Sequence, residues 1–154
     1  MNRFIALALI ASIPLPAAGT SVCSTQVSVQ EKRDPSPQPS GTIEMLTPTQ
    51  GVDFSSYMHH VFLTTRKQWL THLPQSVKSG ERGRNVVQFR ILRDGTVPKE
   101  SCVVTESSKQ DELDEASLVG IREAAPYGKL PEDFTGDYIE LRMKFFYNVT
   151  PGKP

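Results

Sequence analysis

Three histidines, two cysteines and a run of carboxylates are the residues of this chain that could carry out chemistry. His59 and His60 are adjacent, so on a helix they point in different directions, and no cysteine or carboxylate stands at metal-ligand spacing from them or from His72; no metal is assigned. Asp111, Glu112, Asp114 and Glu115 are the residue types of a paired-carboxylate acid–base site. Their place at the start of an apolar-periodic segment explains them instead as charges that complement the positive end of a helix dipole. Ser107 and Ser108 have no histidine base at a motif spacing, and the glycines form no phosphate loop. Asn148-Val149-Thr150 has the form of a glycosylation acceptor. No catalytic residue and no cofactor is read from these positions, and the chain is not expected to be an enzyme.

The two thiols are Cys23 and Cys102. An oxidising compartment would allow them to pair, but two cysteines do not make a disulfide framework. A leader cut just before Cys23 would attach a lipid there. Against that, Thr20, Ser21 and Val22 lack the small residue and the leucine that a lipoprotein signal shows.

The elements that would position such residues begin with Arg84 to Val97. Val87, Phe89 and Ile91 fall two apart with Gln88 and Arg90 between them, which is the period of a strand with one apolar face. Asp94-Gly95 supplies the backbone of a tight turn, so a second strand is expected over Lys99 to Thr105. Upstream, Asp53 can cap a helix whose inner face is Tyr57, Val61, Thr65, Trp69 and Leu73, ended by Pro74. Downstream, Ser108 and Asp111 can form a capping box for a second helix with the inner stripe Leu113, Ala116, Ser117, Gly120, Ile121 and Ala124, its small residues letting it lie close on the sheet. Pro126 stops it. A last strand follows from Tyr138 to Tyr147, with Ile139, Leu141, Met143 and Phe145 on one face.

The order helix-strand-strand-helix-strand predicts an α+β domain: a three-stranded antiparallel sheet in the split βαβ arrangement, with both helices on one face. The first strand lies in the middle. The last is left as a free edge with open backbone donors and acceptors.

Residues 1–19 have the layout of a signal peptide, with Arg3, an apolar run from Phe4 to Ile13 and a small-residue site at Ala17-Ala18-Gly19. The run of about ten apolar residues is short of the roughly 20 that span a bilayer. Residues 20–51 read as a Pro-, Ser- and Gln-rich linker stiffened by Pro35, Pro37 and Pro39. The domain is expected over 52–148 and a flexible tail over 149–154. The formal net charge is zero, so bulk charge pulls the protein toward neither nucleic acid nor an anionic membrane, and membrane association would be indirect only.

Phe89-x-Ile91-x-x-Asp94-Gly95-Thr96-Val97, Glu106-Ser107-Ser108, Leu113-Asp114-x-Ala116, Ile121, Ala124-x-Pro126, Leu130-Pro131 and a closing aromatic strand together resemble the C-terminal domain of the TonB and TolA proteins, the cell-envelope energy transducers of Gram-negative bacteria. The resemblance covers Val52 to Asn148. It departs from the family in two places: Lys109 stands where a glycine is expected, and no Tyr-Pro pair precedes the central strand. The long first helix is closer to the TolA variety. A full transducer keeps an N-terminal membrane helix and a long rod, whereas a linker of about 30 residues reaches at most about 100 Å.

The resemblance implies a periplasmic, exported protein-binding module. It would be an accessory or adaptor in energy-coupled outer-membrane transport, with an outer-membrane transporter or another envelope protein as its partner. Strand addition at the last strand would put Tyr138, Glu140, Arg142, Lys144 and Phe146 beside the incoming segment. The same open edge would also serve a second copy of the chain. The alternative is a secreted or lipid-anchored structural module of the envelope with no part in energy coupling.

Overall fold

Val87, Phe89 and Ile91 are completely buried in the structure, as their spacing requires, and the strand that carries them, Gly83–Leu92, is paired on both sides. The computed structural model describes residues 38–152. The expected leader, most of the expected linker and Cys23 lie outside those residues. In chain order the elements are β1 (Ser40–Met45), α1 (Ser55–Thr71), the single turn α2 (Gln75–Lys78), β2 (Gly83–Leu92), β3 (Val103–Glu106), α3 (Asp111–Ala124) and β4 (Tyr138–Tyr147).

The sheet has four strands, not three, in the order β1-β4-β2-β3, and every neighbouring pair is antiparallel. The expected split arrangement survives as the group β4-β2-β3. The added strand comes from the end of the expected linker. Ile43 and Met45 alternate with Thr42 and Glu44, and the apolar pair packs half-buried against the core. The prolines confine this strand, since Pro39 precedes it and Pro48 follows closely.

The Asp94-Gly95 turn forms as expected. The Leu92 N–H donates to the Thr96 carbonyl at 2.8 Å, and Gly95 takes the positive φ of 90° that glycine tolerates best. The return strand starts later than expected, however. A 3-10 turn over Lys99–Ser101 intervenes, and β3 pairs with β2 only over a few residues, with a register shift between Val86 and Val87.

α1 and α3 cover one face of the sheet. Val61, Thr65 and Trp69 form the buried stripe of α1, with Tyr57 and Leu73 half-buried at its two ends. Asp53 accepts the Ser55 N–H at 2.9 Å at the helix start. The small-residue stripe of α3 is buried as expected, but Gly120 faces the backbone of α1 at Trp69 rather than the sheet. Two polar groups under the helices bond to each other and to α3. Trp69 Nε1–H donates to Tyr147 Oη at 3.0 Å, and the Tyr147 hydroxyl donates to the Leu113 carbonyl at 2.6 Å.

The capping box at α3 does not form. The helix begins at Asp111, and the Ser108 hydroxyl donates to the Gln110 carbonyl instead. Asp114 does the tying: its carboxylate accepts the Ser108 N–H and an Asn85 amide N–H, each at 2.9 Å, and the Ser107 hydroxyl at 2.6 Å. Burial pushes the Asp114 pKa up, but the hydrogen bonds from Ser107, Ser108 and Asn85 outweigh it and hold the carboxyl below its ordinary value. A depressed folded-state pKa contributes stability that is present above the unfolded pKa and is lost as pH falls through the folded one. Asp114→Asn is expected to cost about 1 kcal/mol at pH 7, allowing for solvent screening of a partly exposed group. In urea unfolding, the gap from the wild type should close as the pH falls below about 4.

Candidate functional site

β4 is the element on which the site expectations meet. Ile139, Leu141, Met143, Phe145 and Tyr147 point under the helices and are fully buried. Tyr138, Glu140, Arg142, Lys144 and Phe146, the five residues expected to meet a partner, alternate with them and therefore share the face of the sheet that no helix covers.

The exposure of the five differs. Tyr138 and Lys144 are exposed, Glu140 and Arg142 half-exposed, and Phe146 is buried at 7%. Phe146 shares a shallow groove with Arg84 and the tail residues Val149, Thr150 and Gly152. Glu140 is held by Arg90, whose Nε lies 3.0 Å from Glu140 Oε1 and whose guanidinium sits 4.9 Å from the centre of the Tyr138 ring. Hydrogen bonds from Gln88 and Arg90 lower the Glu140 pKa.

The expectation that β4 is a free edge is overturned. On one side it pairs with β2 along its whole length, from Leu92 against Tyr138 to Gly83 against Tyr147. On the other it pairs with β1, with Met45 opposite Leu141, Glu44 opposite Arg142, Ile43 opposite Met143, Thr42 opposite Lys144, Gly41 opposite Phe145 and Ser40 opposite Phe146. The closure extends past the strand, because the Leu46 N–H donates to the Glu140 carbonyl and the Glu140 N–H to the Thr47 hydroxyl, both at 2.8 Å. The edges of the sheet are therefore β1 and the short β3. Proline at Arg142 or Lys144 would strike an internal strand and is not a neutral test of binding.

The residues that sequence reasoning missed are those of β1. Gly41 lets the two strands come together, since a Cβ there would lie 3.0 Å from the Lys144 carbonyl oxygen and close to the Phe62 ring. Glu44 places a carboxylate oxygen 3.8 Å from an Arg142 guanidinium nitrogen, an exposed pair that orients more than it stabilises. The signal was present in the alternation of Thr42, Ile43, Glu44 and Met45. It is short, and the proline-rich composition around it dominates the reading.

The other candidates stay apart. His59 and His60 lie on the exposed side of α1, and His72 stands just beyond its end, with Nδ1 against the Gln68 carbonyl at 2.9 Å. Cys102 is buried and free, and burial raises its pKa against the opposing influence of Arg122. Asp114 is structural, as described above.

Residues 74–149 match the family model of the Gram-negative bacterial TonB protein C-terminal. The domain is TonB C-terminal-like, and that family is one of non-enzymatic protein-interaction domains. The matched residues take in α2, β2, β3, α3 and β4, and leave β1 and α1 outside. No curated protein and no solved structure matches the chain.

Proposed function

We propose that this protein is exported to the periplasm of a Gram-negative cell and serves there as an accessory or adaptor in energy-coupled outer-membrane transport. It takes an extended segment of its partner along the flank of β4 that β1 occupies, between Glu140 and Phe146, in place of β1. One observation carries the reading: that edge accepts a six-residue extended segment, SGTIEM, drawn from outside the residues that match the family. Pairing of this kind draws affinity from main-chain hydrogen bonds and selectivity from alternate side chains. Arg142 and Lys144 supply the selectivity on the open face.

A photo-crosslinking residue introduced at Lys144 tests this in cells that export the full chain, with the same residue at the exposed Lys67 of α1 as the control. An envelope-protein adduct that forms from position 144 and not from 67 is the expected result. Adducts from 67 alone would remove the β4 edge as the docking site.

The second reading, a structural module with no part in energy coupling, takes the same pairing as permanent, with β1 filling the edge. It predicts no adduct from either position.

A further inference from the structure

We propose that β1 is a built-in occupant of the binding edge. Ser40–Met45 closes β4 in the resting protein, and a partner segment of the same chemistry must displace it. This rests on the reading of β4 as the docking edge and adds to it both a means of regulation and the kind of segment recognised.

Three observations support displacement. First, none of the six residues of β1 is fully buried, whereas β2 and β4 each bury side chains completely at alternate positions. Second, β4 is paired to β2 along all ten of its residues and Trp69 of α1 packs against Phe145 and Tyr147, contacts in which β1 takes no part. Third, β1 lies outside the matched residues, and a short connection, residues 46–54, joins it to α1. A tether of that length holds a segment at an effective concentration on the order of 1 mM, so one that binds at about 100 µM when free would keep the edge about tenfold closed.

The occupant also shows what the edge reads. Gly41 fits where a side chain would meet the Lys144 carbonyl and the Phe62 ring. Ile43 and Met45 pack toward the core, and Glu44 between them faces Arg142. The partner segment is therefore an antiparallel extended peptide with a small residue, an apolar residue two places on, and an acidic residue followed by a second apolar one.

The test uses the full chain and a fluorescent peptide of residues 38–47, QPSGTIEMLT, as the probe. Thr42→Pro removes an N–H on the β4 side of the strand, in phase with the Leu46 N–H that donates to Glu140, and releases β1. Gly41→Val does so independently, by crowding the Lys144 carbonyl. Amide spectra of β2 and α3 check that both variants stay folded.

The probe is expected to bind each variant at least tenfold more tightly than the wild type, and a probe carrying Glu44→Arg should bind the variants more weakly than the unmodified one. Equal binding to wild type and variants would overturn the occlusion while leaving the edge as a docking site. Failure to bind any of the three folded proteins would overturn strand pairing at β4, and the occlusion with it.

Discussion

Replacing Trp69 by alanine is expected to lower the unfolding free energy by about 4 kcal/mol, a large part of the roughly 5–15 kcal/mol that holds a typical domain together. The indole is wholly buried, and its ring centre lies 5.0 Å from that of Phe145 and 5.2 Å from that of Tyr147, both edge-on. Truncation removes this packing and also strips the Tyr147 hydroxyl of its donor, the Trp69 N–H at 3.0 Å. Trp69→Phe separates the two losses. It keeps an aromatic ring in place and gives up the N–H, so the cost should fall to about half that of alanine, part of it the unmade hydrogen bond. Urea unfolding, read as a shift in midpoint at constant slope, measures both. Equal stability of the alanine variant and the wild type would mean that α1 is not packed on β4 as described.

Gly120→Val carries the next largest effect, a loss of about 3 kcal/mol by overpacking. On helix propensity alone, alanine at this position would gain about 1 kcal/mol over glycine. Contact geometry decides against that gain. A Cβ on Gly120 would stand 2.8 Å from Trp69 Cβ and 2.9 Å from Trp69 Cα, well inside the roughly 3.5–4.0 Å at which carbon atoms sit comfortably. The Cα belongs to the backbone of α1 and cannot rotate away, so the helices must part. Gly120→Ala is therefore the sharper comparison, because propensity and packing predict opposite signs. A less stable alanine variant, with a smaller loss than valine, is expected by the same urea measurement.

The interior of the domain was legible from residue spacing. Val87, Phe89 and Ile91 in β2, the α1 stripe through Trp69, the α3 stripe through Gly120, and the alternation along β4 all face the core as their periods required. These segments bury one face continuously, and continuous burial leaves a strong periodic trace.

What could not be read is where local chemistry is chosen by tertiary partners. The capping box at Ser108 and Asp111 gave way to Asp114 because a neighbouring strand supplies Asn85 as a further donor to its carboxylate, which no local motif reveals. β1 was missed for the opposite reason. A six-residue strand that buries nothing completely leaves little periodicity, and its pairing partner lies about a hundred residues further along the chain. That omission changed the site itself, turning β4 from an edge into an interior strand. The five side chains expected at the partner kept their shared face but lost the open backbone beside them.

The weak burial that hid β1 from the sequence is also what makes it displaceable. The most direct test follows the backbone amides of the isotopically labelled full chain while unlabelled peptide 38–47 is added to saturation. The account predicts that the amides of residues 40–45 move to unstructured positions and lose protection from solvent exchange, while those of Leu141–Phe146 stay protected throughout. Amides of 40–45 that remain strand-like and protected while the peptide saturates the protein would contradict it.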